Sequence, residues 1–120
     1  MTSRGLGAWG EDFAARELAR RGLQILERNV RTREGEIDLV AQEGPFLVLV
    51  EVKARRGVRF GTPEEALTLE KRARLIALAE AYVAEVGWEG PWRIDVVGIL
   101  VDGQGHLTSF NWLRSAVEGG

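Results

Sequence analysis

The chain has 120 residues, of which 45% are hydrophobic and 28% charged. This length and composition predict one globular domain over residues 1–120. It contains no cysteine, which excludes a disulfide framework and a thiolate metal site and fits a reducing compartment. No apolar run approaches the roughly 18 residues of a membrane span, and the N-terminus lacks the apolar core of a signal peptide. We therefore expect a cytoplasmic protein with no membrane partner.

The basic residues are grouped along the chain, although the net charge is only −2. Fourteen of the sixteen are arginine, and most lie in three clusters, at 28–33, 53–59 and 71–74. Grouped arginines suit bidentate recognition of phosphate. They are equally compatible with solvated protein faces, and the net charge alone does not favour a nucleic-acid partner.

The first half of the chain predicts a helix followed by three strands. Residues 8–21 have a helical pattern that Gly22 can end. Residues 23–32 form a strand with mixed periodicity. Residues 36–42 and 46–54 are two apolar runs around a turn, which indicates a β-hairpin.

A long helix follows the loop at 57–63 and ends near Val86, with Gly87 as its stop. Two starts compete for this helix. Thr62 has capping-box spacing with proline in the first turn. Thr68 could equally cap a helix that begins one residue later.

The last third predicts two further strands. Residues 92–101 are a buried strand, 102–105 a turn and 106–111 a short edge strand. The order α-β-β-β-α-β-β predicts a mixed sheet of about five strands flanked by helices. The long helix should link two parallel strands, and the hairpin strands should be antiparallel.

Two motifs suggest functions that the sequence does not support. Gly5–Gly10 matches G-x-G-x-x-G, but no strand precedes it, so we reject a dinucleotide site. His106 is the single histidine, and without cysteine or a second histidine the usual zinc ligand sets cannot form.

The hairpin carries charge where buried strands are normally apolar. In the second run Leu47, Leu49, Glu51 and Lys53 share one face, because side chains alternate along a strand. A two-residue turn places Asp38 opposite Glu51, at roughly 5 Å. A four-residue turn places Asp38 diagonal to Glu51, at roughly 7–8 Å. Either register predicts that the carboxylates converge, whereas a simple three-residue turn would separate them unless a bulge restored the alternation.

Like charges at this distance repel, and burial adds a desolvation cost. A protonated carboxyl group, a wet face or a bound divalent cation would each relieve the repulsion. Mg²⁺ takes one or two carboxylates and keeps several waters. The alternative is an exposed salt bridge from Lys53 to Asp38 or Glu51, which is common and contributes little. Glu11 lies on the apolar face of the first helix, where the helix dipole or a bound cation could explain it.

The ordered set of Glu11, "GEIDLVA" at 35–41 and "VEVKAR" at 50–55 resembles the YraN-like family of small bacterial proteins. That family resembles a branch of the PD-(D/E)xK nuclease superfamily, close to archaeal Holliday-junction resolvases. The resemblance continues through "ERNVR" at 27–31, "FGTPEEALTLEK" at 60–71 and "RIDVVGI" at 93–99. It implies a restriction-endonuclease-like core.

The resemblance also implies a set of site residues. Asp38 matches the metal-binding aspartate, Glu51 and Lys53 match the E-x-K element, and Glu11 matches a helix-borne acid of the resolvase branch. The proline of the superfamily's name is absent, because Ile37 precedes Asp38. The implied cofactor is Mg²⁺, for which Mn²⁺ can substitute, held by Asp38, Glu51, Glu11 and the carbonyl of Val52.

We expect a metal-dependent nuclease in which Asp38, Glu51 and Lys53 are catalytic. Its partner would be nucleic acid, most simply DNA, held through the phosphate backbone by four basic residues: Arg33, Arg55, Arg56 and Lys71. A resolvase-like nuclease that cuts twice would act as a homodimer. Two alternatives stay open, namely a binding module without catalysis and a structural or protein-interaction domain.

Overall fold

The computed structural model describes residues 3–57 and 67–119. Helices α1 (Ser3–Arg20) and α2 (Leu69–Val86) pack on opposite faces of one five-stranded sheet. The strands lie side by side in chain order: β1 (Gln24–Thr32), β2 (Gly35–Glu43), β3 (Phe46–Arg56), β4 (Trp92–Val101) and β5 (Leu107–Gly119). The predicted mixed α/β fold and its element order are confirmed.

The sheet is mixed in the way the sequence predicts. β3 and β4 are parallel and flank α2 in the chain, whereas the other three neighbouring pairs are antiparallel. A parallel pair needs a long crossover, which a helix supplies. β3 and β4 therefore form the centre of the sheet, and both carry long runs of buried apolar residues.

Alternation along the central strands builds two apolar cores. On one face α1 buries Ala14 and Leu18 against Val48 and Val50 of β3. On the other face α2 buries Leu75 and Leu78, with Tyr82, against the opposite-parity residues of the same strand. Each helix thus contributes one apolar stripe, and the sheet is covered on both sides.

α2 begins at the second of its two predicted starts. The Thr68 side chain accepts a hydrogen bond from the Lys71 N–H at 3.2 Å, which satisfies one otherwise unpaired donor of the first turn. Gly87 ends the helix with φ of 70°, a left-handed conformation that glycine adopts without strain. The competing cap at Thr62 lies outside the described residues. Within the described part of the chain, neither helix has the length and apolar character that crossing a bilayer requires.

Two elements are longer than the sequence pattern indicates. α1 begins at Ser3 rather than residue 8, because Leu6 is buried and joins the core on that face. β5 continues to Gly119 rather than ending at residue 111. Its pairing with β4 shifts between Ile94 and Val96, and this irregularity breaks the alternation on which the prediction depended.

The β2–β3 hairpin has a two-residue turn at Gly44 and Pro45, which decides between the two registers. Glu43 pairs with Phe46, and the ladder ends where Leu39 pairs with Val50. Beyond that point β2 stays paired with β1, whereas β3 stays paired with β4 as far as Arg56. The sheet therefore splits between β2 and β3 at one end.

Candidate metal centre

The split end of the sheet forms a cleft lined by three carboxylates. Glu36 and Asp38 lie on the β2 side of the opening, and Glu51 lies on the β3 side. Apolar side chains complete the lining from α2 and the sheet, among them Leu75, Leu78 and Ile94. Acids and a hydrophobic wall therefore share one concave site, as is typical of small-ligand and ion sites.

Glu36 and Asp38 also belong to a second group of three carboxylates, which is completed by Glu11 rather than Glu51. One oxygen from each of Glu11, Glu36 and Asp38 lies within 4.8 Å of the others. Glu11 and Asp38 are half-buried, and Glu36 is exposed. The cluster combines elements far apart in sequence, because Glu11 comes from α1 and the other two from β2. Its hard oxygen donors are those that Mg²⁺ and Mn²⁺ prefer, so the residues fit such a cation.

The Asp38 side chain spans the opening between the two strands. Its Oδ2 atom accepts a hydrogen bond from the backbone N–H of Val52 at 2.8 Å. Ile37 and Val40 belong to the same apolar core despite their opposite parity in β2, so the alternation slips at Asp38. The slip directs the carboxylate along the sheet toward β3 rather than into either core.

The surroundings of Asp38 favour its neutral form. The pKa of its carboxyl group rises from an ordinary 3.8 to about 7, chiefly because of burial. The negative charges of Glu51 and Glu11 contribute to this rise. The N–H of Val52 and the positive charge of Lys53 oppose the rise. A carboxyl group in this state is one that a bound cation would stabilise in its ionised form.

Glu51 is held from the opposite side, by α2. Its Oε2 atom accepts a hydrogen bond from Nη2 of Arg74 at 3.0 Å. The Glu51 side chain is only 13% exposed and the Arg74 side chain 45%. Glu51 therefore faces Asp38 across the cleft with its charge already balanced by an arginine.

Close packing of α1 on β3 brings Glu11 to the site. A Cβ atom placed on Gly10 would lie 2.7 Å from the Cβ of Ala54, nearer than two such atoms can approach. Only glycine fits at this position, which immediately precedes Glu11. The glycine therefore sets the distance at which α1 presents its acid to the strand ends.

Four of the five predicted basic residues lie at the end of the sheet where β2 and β3 separate. Lys53 is exposed two residues after Glu51 on β3, and Arg55 and Arg56 are exposed at the end of that strand. Arg33 is exposed in the β1–β2 turn, and Lys71 lies half-buried in the first turn of α2. Of these five, Lys53 acts electrostatically on Asp38.

Three contributors were not identified from the sequence. Glu36 was not among the predicted ligands, yet its carboxylate belongs to the cluster. The sequence pattern places Arg74 only within a basic cluster and assigns Asn29 no role. The available signal was Asn29 in mid-strand, since asparagine is depleted in strands and tolerates left-handed backbone.

Neither of the two motifs set aside in the sequence forms the kind of site that its pattern suggests. Gly5–Gly10 lies within α1, so its glycines form no loop after a strand. His106 is exposed beside the β4–β5 turn, where its Nδ1 lies 3.3 Å from Oδ2 of Asp102.

Fold and site define a small α/β protein with a cluster of carboxylates at the open end of its sheet. The chain belongs to the family described as uncharacterised protein family UPF0102, whose model matches residues 10–99. The family level of the resemblance seen in the sequence is thereby confirmed. The matched segment contains Glu11, Asp38, Glu51 and Lys53.

Relatives match nearly the whole chain. The UPF0102 protein of Roseiflexus castenholzii is 49% identical over 115 residues, which cover 94% of this chain and 93% of the relative. UPF0102 protein STH1475 of Symbiobacterium thermophilum is 52% identical over 106 residues, covering 88% and 90%. A UPF0102 protein of Rhodococcus opacus is 47% identical over 113 residues, covering 92% and 94%.

Proposed function

We propose that this protein is a metal-dependent endonuclease that hydrolyses phosphodiester bonds in DNA of branched or irregular structure. The observation that carries the proposal is the convergence of the Glu11, Glu36 and Asp38 carboxylates beside Glu51, with Lys53 following on the same strand. The resemblance to the PD-(D/E)xK superfamily and to Holliday-junction resolvases supports it.

The residues that would hold Mg²⁺, or Mn²⁺ in its place, are Asp38, Glu51 and Glu11 with the carbonyl of Val52. Glu36 now joins these candidates because its carboxylate lies in the cluster. A cation there would supply Lewis-acid activation of a water and of the scissile phosphate. The raised pKa of Asp38 is consistent with a carboxyl group that needs a positive charge nearby.

Lys53 would act on the reacting atoms through its ammonium group. It is exposed on β3, two residues after Glu51. It would donate hydrogen bonds to the attacking water and to a non-bridging phosphate oxygen. The water oxygen attacks phosphorus and releases one proton to solvent, and the bond from phosphorus to one deoxyribose oxygen breaks. That oxygen takes up a proton from solvent and leaves as a hydroxyl group. Lys53 stabilises the negative charge that develops on the phosphate during this step.

Arg33, Arg55, Arg56 and Lys71 would hold the phosphate backbone on either side of the scissile bond. Arg33 lies in the β1–β2 turn and Arg55 and Arg56 at the end of β3, where β2 and β3 have separated, and Lys71 lies in the first turn of α2. Phosphate contacts position a nucleic acid without reading its sequence. The substrate preference would then depend on DNA shape, and the setting would be the cytoplasm, with a homodimer for paired cuts.

The test is an incubation of purified protein with four-way junctions, nicked duplex and single-stranded DNA, with and without Mg²⁺. We expect Mg²⁺-dependent cleavage that Asp38→Ala and Lys53→Ala abolish. Glu89→Ala is the matched control, because Glu89 is exposed between α2 and β4, away from the cleft residues. Activity that persists in both site variants would come from a contaminant and would refute the assignment.

The second candidate is a nucleic-acid-binding module that does not cut. The ion pair between Arg74 and Glu51 favours it, because the arginine already balances a carboxylate that catalysis needs. This function predicts steeply salt-dependent DNA binding and no cleavage with any divalent metal. Asp38→Ala would then leave the affinity unchanged or raise it, since a negative charge is removed.

A further inference from the structure

Asn29 has an unusual backbone conformation in the middle of β1. Its φ of 52° lies in the left-handed region, which non-glycine residues rarely adopt and asparagine tolerates best. Arg28 pairs with Leu39 and Val30 with Ile37, so Asn29 lies opposite Asp38 across the β1–β2 ladder. The distorted residue is therefore next to the carboxylate cluster.

The side chain of Asn29 joins two members of that cluster. Its Nδ2 atom donates to Oε1 of Glu11 at 2.6 Å and lies 3.4 Å from Oε1 of Glu36. Ionised carboxylates only accept hydrogen bonds, so the amide atom that faces both must be the nitrogen, with its two N–H donors. One neutral group thus contacts acids from two separate elements, α1 and β2.

We infer that Asn29 is the positioning residue of the site, fixing the orientation of the Glu11 and Glu36 carboxylates toward a divalent cation. The inference rests on the proposed function, because it assumes that the cluster binds such a cation. Asn29 is not itself a ligand, since it presents N–H groups to the cluster. Partners of this kind, which hydrogen-bond to ligands, typically change metal affinity 10- to 100-fold when they are removed.

Because the backbone of Asn29 is left-handed, two substitutions can distinguish the effect of losing the amide group from the effect of straining the backbone. Asn29→Gly removes the amide and retains a residue that adopts φ of 52° without strain. Asn29→Ala removes the amide and strains the backbone as well. If Asn29 positions ligands, the two variants lose metal affinity equally, and only Asn29→Ala has a strongly lowered melting temperature.

The experiment is a calorimetric titration of each variant with Mg²⁺ and with Mn²⁺, together with melting curves without metal. We expect Asn29→Gly to weaken binding roughly 10- to 100-fold. Glu11→Ala, made alone and with Asn29→Gly, completes a double-mutant cycle. The two effects should be strongly non-additive, because the amide acts through Glu11. A purely structural role would lower the melting temperature and leave the metal affinity unchanged.

A measurement on the unmodified protein decides the question if Asn29→Gly does not fold. In a nuclear magnetic resonance titration with Mg²⁺, the side-chain amide signals of Asn29 should shift with the midpoint of binding. Asn111, the second of the chain's two asparagines, is exposed on β5 and is the internal control, with no shift expected.

The outcomes separate this inference from the proposed function. No cation binding by the wild-type protein would overturn both. Cation binding with equal affinity in the wild type and Asn29→Gly, or with an unshifted Asn29 amide, would overturn the inference alone. Weakened binding that couples to Glu11, or a shifted amide, would establish it.

Discussion

The guanidinium group of Arg74 lies 3.0 Å from the carboxylate of Glu51 and connects α2 to the strand end that forms the cleft. A cation bound between Glu51 and Asp38 would balance the charge of the same carboxylate. Glu51 is mostly buried and Arg74 partly exposed, so the arginine can leave while the acid stays. Arg74 is therefore expected to compete with a divalent cation for Glu51.

Replacing Arg74 by alanine should strengthen Mg²⁺ binding in the absence of DNA. A partly exposed ion pair contributes about 0.5–1 kcal/mol, so the expected gain is roughly two- to fivefold. Calorimetric titration measures it. Arg72→Ala is the control, because Arg72 donates to the carbonyl of Ala116 rather than to a site acid. Weaker Mg²⁺ binding in Arg74→Ala would instead mean that Arg74 holds Glu51 in place for the metal.

The raised pKa of Asp38 predicts how stability changes with pH when no metal is present. From about pH 4 to about pH 7 the folded protein keeps a proton that the unfolded chain has released, since the pKa rises from 3.8 to about 7 on folding. Stability should therefore fall as the pH rises through this window and level off above it. The loss should be on the order of a few kcal/mol.

Urea unfolding at pH 5 and pH 8, in the presence of a chelator, measures this effect. Asp38→Asn has nearly the same shape and does not titrate, so it should lose less stability between the two pH values than the wild type. Equal losses would show that Asp38 does not titrate in this range. In the wild type, Mg²⁺ affinity should rise toward pH 7, because the cation binds the ionised carboxylate.

The contact between Gly10 and Ala54 predicts a pair of compensating substitutions. Gly10→Ala should destabilise the fold by about 1–3 kcal/mol through overpacking, although alanine is the better helix former. Gly7→Ala is the matched control on the same helix, where nothing lies within 4 Å of the added methyl group. This control should gain about 0.5–1 kcal/mol.

The double variant Gly10→Ala with Ala54→Gly exchanges the two methyl positions. Removing the Ala54 methyl group should restore most of the stability lost in Gly10→Ala, as measured by chemical denaturation. Additive losses in the double variant would mean that α1 can move away from β3 at little cost.

A buried polar network around Asp95 predicts the largest loss of stability. Asp95 is fully buried and accepts hydrogen bonds from Arg93, from the indole N–H of Trp112 and from the backbone N–H of Ser115. Asp95→Asn leaves the buried Arg93 without its fully buried counter-charge, and breaking such a pair costs about 3–5 kcal/mol.

Glu43→Gln is the matched comparison for Asp95→Asn. Glu43 also pairs with Arg93, but its side chain is 29% exposed and water can take over the contact. Denaturation should therefore show about 1 kcal/mol of loss for Glu43→Gln. Similar losses for both substitutions would mean that the buried arginine needs only one carboxylate.

Most of the fold could be predicted because its determinants are local. The apolar runs of β3 and β4, the threonine cap at Thr68 and the glycine after α2 each specify structure within a few residues. The pairing register could not be chosen, since a two-residue and a four-residue turn satisfied the same pattern. The extent of β5 was missed because Asp95, on another strand, holds Ser115 at φ of 51° in the irregular stretch.

The candidate site likewise has a part that is encoded locally and a part that depends on contacts between distant elements. Asp38 and Glu51 could be placed together because both belong to one hairpin. Glu11 was suggested by its helix face, but its distance from Asp38 depends on how closely α1 packs on β3. The contacts of Arg74 and Asn29 join elements that are distant in sequence, so no local pattern encodes them.

The two-residue turn at Gly44 and Pro45 limits where insertions and deletions can occur in the chain. With this turn the ladder pairs Leu39 with Val50, which leaves Asp38 and Glu51 at matching positions just beyond it. One residue inserted there would either form a β-bulge or turn Leu47, Leu49 and Glu51 to the face of the sheet that α1 covers. Insertions and deletions should therefore be tolerated in the β4–β5 connection. They should be absent from the turn at Gly44 and Pro45, although this turn touches none of the reactive groups.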